Sequence, residues 1–132
     1  MQRFHATCVA LNGRGILITG PSGCGKSDLA LRLITLGAEL VADDQVEVTA
    51  APPRLIARCP ATIRGLIEAR HVGLLKVPTI EAAELALILE PGTAERLPDP
   101  QTRELMEISL PLLVLPYLEA SAAAKVKLFL EQ

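Results

Sequence analysis

The sequence predicts an α/β domain built on a mixed sheet, and three observations carry that prediction. An apolar strand, a glycine-rich loop and an apolar helix follow one another near the front of the chain. Strand-length apolar runs then recur with hairpin-type punctuation between them, which favours a mixed sheet over a purely parallel one. Finally, 132 residues, half of them hydrophobic, make one domain with a substantial core, and residues 1–132 are read as a single unit.

Taken in order, residues 4–11 (FHATCVAL) read as a strand. Asn12-Gly13 turns it into a second strand at 15–19 (GILIT), because Asn-Gly between apolar runs is a strong hairpin signal. Residues 20–25 form a loop. From 27 to 36 the apolar side chains fall at 29, 30, 31, 33, 34 and 36, the pattern of a largely buried helix that Gly37 ends. Residues 38–50 (AELVADDQVEVTA) return as a strand, closed by Ala51-Pro52-Pro53. A short strand is expected at 54–60, and 61–78 mixes a helical turn with a strand near 73–77. Residues 82–91 read as a strand despite their helix-forming alanines. A surface loop follows at 92–101, then a strand-like segment at 103–116 and a terminal helix at 119–132.

Composition excludes several functions. Phe4, Tyr117 and Phe129 are the only aromatic residues and the net charge is −2, so neither stacking platforms nor a basic face for nucleic acid is available. The first residues lack the apolar core of a signal peptide, and "ISLPLLVLPYL" is too short to span a bilayer and carries Pro111 and Pro116. A soluble, cytoplasmic protein with no membrane contact is expected. Cys8, Cys24 and Cys59 are odd in number with no C-x-x-C pair, which fits reduced thiols rather than a disulfide or zinc framework.

Gly20-Pro21-Ser22-Gly23-Cys24-Gly25-Lys26-Ser27 satisfies the phosphate-loop (Walker A) pattern G-x-x-x-x-G-K-[ST]. Glycines let successive backbone N–H groups point into one concavity, and the following helix adds its positive end. Lys26 can reach the β- and γ-phosphates of ATP, and the Ser27 hydroxyl is a magnesium ligand. Asp43 and Asp44 close an apolar strand, where such a protein keeps an acid near its metal. Adjacent side chains on a regular strand face opposite ways, so both reach one site only if the strand ends or twists there. One is then the base for a hydroxyl proton and the other a metal or supporting group; the residues themselves leave open which. His5 alone reads as a structural or surface residue, and Glu68, Arg70 and His71 are unremarkable singly.

Together these pieces resemble the catalytic domain of HPr kinase/phosphorylase, the bacterial serine kinase of the phosphocarrier HPr. The resemblance runs through His5 in "FHATCVALNGRGILITG", the phosphate loop leading into "GKSDLALRLITLGAELVADDQVEV", and "IRGLIEARHVGLLKV". The last looks like a degraded Glu-Ile-Arg-Gly-Leu-Gly signature that retains Glu68, Arg70 and Gly73. It covers residues 3–78 well and the rest weakly. The resemblance implies Asp44 as acid/base, His5 as its support, Lys26 as a catalytic cation, and Ser27, Glu68 and Asp43 around the metal. It also implies ATP and Mg2+, a phosphate-loop fold like that of phosphoenolpyruvate carboxykinase, and a homo-oligomer, a hexamer in the family. An HPr-like carrier of the phosphotransferase system would be the partner, placing the chain in the regulation of carbon and nitrogen metabolism. It looks like the short alphaproteobacterial form without an N-terminal domain.

Two departures stand out. Ala6 replaces the family's glycine, and "LPLLVLPYLEASAAAK" stands where the family has a Pro-Gly-Arg-Asn loop, with no arginine beyond Arg103. Weak or absent phosphorylase activity is therefore expected. The alternatives are a small-molecule or carboxykinase-like enzyme, which needs a richer arginine lid, and a non-catalytic ATP-sensing module. A guanine-nucleotide switch needs an Asn-Lys-x-Asp base reader, and Asn12 is the only asparagine.

Overall fold

The structure is a computed structural model that describes residues 1–60 and 65–132. In chain order the elements are β1 (Gln2–Phe4), β2 (Thr7–Leu11), β3 (Arg14–Ile18), α1 (Lys26–Thr35), β4 (Glu39–Ala42), β5 (Val46–Ala51) and β6 (Arg54–Arg58). They continue with β7 (Leu66–Ala69), β8 (Gly73–Lys76), β9 (Ala82–Pro91), β10 (Gln101–Leu105), β11 (Ile108–Leu115) and α2 (Ala122–Leu130). The mixed α/β class is as expected.

The main sheet runs β1-β5-β6-β9-β3-β2-β4. β9 is its spine: β3 lies parallel along one edge, while β6 (antiparallel) and β11 (parallel) share the other at its two ends. Ala86 is an extra residue on β9, since Gly15 lies opposite Leu85 but Ile16 opposite Leu87. That bulge reverses which face the following side chains take. Leu85 therefore belongs to one core, and Leu87 and Leu89 belong to the other.

The first core lies between the sheet and the two helices. Val9, Ile16, Ile18, Leu87 and Leu89 meet Leu29 and Leu33 of α1 and Val126 of α2. The second is enclosed by the curl of the sheet itself and contains Cys8, Leu17, Val48, Leu55, Leu85 and Leu112. Burial there pushes the Cys8 thiol up to about 12. β2 separates the two cores and is buried on both faces, which is why residues 7–11 read as a continuous small-apolar run rather than an alternation.

α1 ends as the sequence predicts. Gly37 takes φ +107, its N–H donates to the Ile34 carbonyl, and the Ala38 N–H reaches back to Leu33, a Schellman closure. At the end of α2 the Arg14 guanidinium donates to the Leu130 carbonyl at 2.5 Å. The Asn12-Gly13 turn is the two-residue type, with Leu11 opposite Arg14 and both turn residues at positive φ.

Three expectations change. The strands expected at 4–11 and 38–50 are each broken in two, between Phe4 and Thr7 and between Ala42 and Val46. The breaks coincide: Phe4 pairs with Val46 on one side of the gap and Cys8 with Ala42 on the other. An antiparallel ladder is thus interrupted where the sheet curls, leaving His5, Thr7, Asp43 and Asp44 at the gap. The segment 103–116 is a hairpin rather than a single strand, turning at Met106-Glu107, both at positive φ. In 61–78, the part from residue 65 on is a small separate hairpin, β7 against β8, with the expected strand near Gly73 present. Residues 61–64, part of the expected helical turn and of the "IRGL" match, lie outside the described residues.

Candidate active site

The phosphate loop joins β3 to α1. Gly20 and Gly25 have φ of +135 and +102. Neither tolerates a side chain: a Cβ on Gly20 would lie 2.7 Å from the Cys24 sulfur, and one on Gly25 would lie 2.8 Å from Leu118. Gly25 caps α1 without a side-chain hydrogen bond, so no side chain competes for the amides of the first turn, where an anion is favoured. Lys26 is only 7% exposed. Its ammonium donates to the carbonyls of Gly20 (2.7 Å) and Pro21 (3.0 Å), holding the cation inside the loop. Cys24 turns inward and packs against the first core.

The two aspartates occupy different environments. Asp43 is half-buried and takes donors on both oxygens. Oδ1 accepts from Ser27 Oγ at 2.8 Å and from Thr7 Oγ1 at 3.0 Å, and Oδ2 accepts from the Glu68 N–H at 3.3 Å. Asp44 follows the end of β4 with φ +71, so the alternation that would send neighbours to opposite faces stops there. Its side chain is 68% exposed, and Oδ1 accepts from Nε2 of His5 at 2.7 Å. Both acids can therefore serve one site, Asp43 fixed against the phosphate loop and Asp44 projecting beside it.

A cleft of about 610 Å³ opens over these groups. Ser22, Gly23, Gly25, Lys26 and Ser27 form its phosphate-loop side, with Asp28 and Leu31 on α1. Asp44 lines it, Glu68 to Val72 from the β7–β8 hairpin face the loop, and Leu118 closes one end. Leu118 is held there by its neighbours. The Tyr117 hydroxyl donates to the Thr19 carbonyl at 2.7 Å, and Arg32, paired with Asp28, donates to the carbonyls of Tyr117 (2.9 Å) and Glu119 (2.7 Å). Burial raises the Tyr117 hydroxyl above its ordinary range, with Cys24 adding to it, so it remains a neutral donor.

The structure thus brings together the phosphate loop, Asp43, Asp44, His5 and Glu68. Ser27 Oγ meets the Asp43 carboxylate, and Glu68 lines the same cleft; hydroxyl and carboxylate oxygens are the donor types Mg2+ takes, with phosphates and water for the rest. Among the described residues no group of three or more His, Cys, Asp or Glu is placed to hold a metal by itself.

Sequence reasoning missed Thr7, Arg70, His71 and Leu118 as site residues. Thr7 looks like any β-former in an apolar strand. Only the signature match drew attention to Arg70, and nothing marked His71, whose φ of +74 sets the hairpin turn. Among the described residues no helix is long and apolar enough to cross a membrane.

A family model described as the HPr Serine kinase C-terminal domain matches residues 1–126. The chain is 48% identical over 77 residues to the HPr kinase/phosphorylase of Bordetella avium (strain 197N), a match covering 58% of this chain and 25% of that protein. It is 45% identical over 78 residues to that of Clostridium tetani (strain Massachusetts / E88), covering 59% and 26%. The match therefore spans about a quarter of the length of these curated relatives. Among solved structures, the Hpr(Ser) kinase/phosphatase from Coxiella burnetii superposes with a TM-score of 0.85 at 25% identity, over 99% of this chain and 89% of that one.

Proposed function

The chain belongs to the HPr serine kinase C-terminal domain family, and from that premise we propose that it is an ATP- and Mg2+-dependent protein serine kinase. Its acceptor would be a seryl hydroxyl on an HPr-like phosphocarrier. The observation that carries this reading is the position of Asp44. Asp44 lines the same cleft as Lys26 and Ser27, with one carboxylate oxygen held by His5 and the other available to a hydroxyl proton.

In the reaction, the seryl oxygen attacks the γ-phosphorus and the bond from that phosphorus to the bridging oxygen breaks, releasing ADP. Asp44 takes the seryl proton, and geometry within hydrogen-bond reach is the first requirement of such a base. The amides of the phosphate loop and the start of α1 bind and orient the phosphates, and Lys26 offsets charge on the transferring group. Asp43 holds the Ser27 hydroxyl at the metal corner. Mg2+ held through Ser27, Asp43 and Glu68 would supply neutralisation of charge on the phosphates. His5 keeps Asp44 from rotating away.

Incubating purified protein with γ-labelled ATP and purified HPr-like carriers tests the reading. Label should reach one carrier on serine, and a carrier with that serine replaced by alanine should stay unlabelled. Binding of Mg-ATP with no transfer to any carrier would leave an ATP-sensing module instead.

A further inference from the structure

The gap in the sheet contains a buried polar residue that the proposed mechanism gives no role. Thr7 is fully buried. Its hydroxyl donates to Asp43 Oδ1 at 3.0 Å and accepts from the backbone N–H of Asp44 at 3.4 Å. We propose that Thr7 is a positioning residue for phosphoryl transfer. One hydroxyl locks the two carboxylates relative to each other, so that Asp43 stays on Ser27 while Asp44 stays aimed into the cleft.

The inference follows from what the position would otherwise prefer. Thr7 begins a strand buried on both faces, where a valine of nearly the same shape would pack without desolvating a hydroxyl. A buried hydroxyl there is tolerable because both of its hydrogen-bonding roles are filled. The partners that fill them are the acid bound to the phosphate loop and the backbone of the acid proposed as base.

The geometry explains why the link matters. Asp44 follows the last residue of β4 by two positions, and the ladder is interrupted there. Its amide bonds to Thr7 rather than to a strand neighbour. Its side chain is mostly exposed and is held by one hydrogen bond, from His5. Without the Thr7 hydroxyl, the Asp44 backbone keeps a left-handed φ with its N–H unpaired, and Asp43 loses one of the two donors on Oδ1. Misplacing a catalytic group by about 1 Å can cost about a hundredfold in rate. The effect should therefore fall on turnover rather than on nucleotide affinity, which the phosphate loop supplies from the other side of the cleft.

This proposal rests on the kinase reading for its turnover measurement but not for its structural one. The experiment compares Thr7→Val, Thr7→Ser and Thr7→Ala with the unaltered protein. Thr7→Val should lower kcat by about 10- to 100-fold and leave the Mg-ATP dissociation constant within about threefold. In the nucleotide-free protein, the Asp44 amide should exchange with solvent about three- to tenfold faster in Thr7→Val, as expected for one lost hydrogen bond. Thr7→Ser should recover both properties.

Unchanged turnover and exchange in Thr7→Val would overturn the proposal, as would a Thr7→Ser protein as impaired as Thr7→Val. If Thr7→Val does not fold, Thr7→Ser and Thr7→Ala decide, since both lose the methyl group and only one keeps the hydroxyl. Equal impairment of those two overturns the positioning role. If the unaltered protein transfers phosphate to no carrier, the kinase reading fails, and the Asp44 exchange rates across the variants still decide whether Thr7 holds the acid.

Discussion

Asp43 and Asp44 are the same residue type one position apart, and their hydrogen bonds differ. Asp43 has donors on both oxygens and cannot rotate without breaking its bond to Ser27. Asp44 has one oxygen on His5 and is otherwise open to the cleft. Asp44→Asn should bind Mg-ATP about as well as the unaltered protein but lose transfer by about 10²- to 10⁴-fold, because an amide cannot take the seryl proton. Asp43→Asn should instead raise the Mg2+ concentration needed for half-maximal rate, since its amide would meet donors rather than satisfy them. Both are read by calorimetry with Mg-ATP and a magnesium titration of the rate. If Asp43→Asn binds Mg-ATP normally and is inactive, the two roles are exchanged. Lys26→Ala should abolish labelled transfer with far-ultraviolet dichroism unchanged, because the Lys26 ammonium bonds carbonyls of the phosphate loop rather than of a helix or strand. Much of this site was legible in the sequence because the phosphate loop is a contiguous pattern with a mechanical reason for each position. Thr7 was not legible, because a threonine in an apolar strand carries no sign of which residue lies across the sheet from it.

Turns divide the elements into those the sequence announces and those it conceals. Asn12-Gly13 and Met106-Glu107 are both two-residue hairpin turns with positive φ at both positions. Such turns favour Asn or Asp followed by Gly, for which the left-handed conformation carries little strain. The first pair announces its turn. Met106-Glu107 gives no such signal, and residues 103–116 therefore read as one strand where β10 and β11 make a hairpin. The double substitution Met106→Asn/Glu107→Gly should stabilise the protein by about 1 kcal/mol, raising Tm by roughly 4 °C. Calorimetry checks it; a lower Tm would mean that the partly buried Met106, packed on the second core, outweighs the relief of backbone strain. The broken strands at the site have a different cause. Residues 4–11 and 38–50 are strand-like along their whole length, and their interruption is imposed where the sheet curls and two ladders abut. Local pattern does not encode that curl. By contrast α1 was predicted almost to its ends, because its apolar spacing, the loop before it and Gly37 after it are all local.

At the scale of the whole molecule, the curl gathers His5 and Thr7, the phosphate loop, Asp43 and Asp44, and the β7–β8 hairpin around one cleft. The cations that this arrangement does and does not supply bear on the direction of the reaction. In the dephosphorylating direction, with inorganic phosphate rather than ADP attacking a phosphoserine to give pyrophosphate and free serine, the site must bring two separate multiply charged anions together. That requires cations beyond Lys26 and the metal. Among the described residues no Lys or Arg after Arg70 lines the cleft; Lys125 pairs with Glu119, whose carboxyl it holds below the ordinary range, and Lys127 pairs with Glu131. Arg103 pairs with Glu90, and Arg32 is engaged by Asp28 and two carbonyls. Among the described residues, the guanidinium that lines the cleft is that of Arg70, on the β7–β8 hairpin facing the phosphate loop, a cation that counting arginines after residue 103 overlooks. We propose that phosphorolysis is weak because it leans on the Arg70 side chain for charge beyond Lys26 and the metal. Forward transfer, which brings in a neutral hydroxyl, needs Arg70 less. With seryl-phosphorylated carrier and about 10 mM phosphate, in excess of a KM in the usual range, pyrophosphate release should be slower than forward transfer. Arg70→Gln should lower that release by about tenfold more than it lowers kinase turnover, the effect of one charge-assisted contact of about 1.4 kcal/mol. Equal loss in both directions would show that Arg70 serves the γ-phosphoryl group common to both, and release as fast as the forward reaction would end the charge argument altogether.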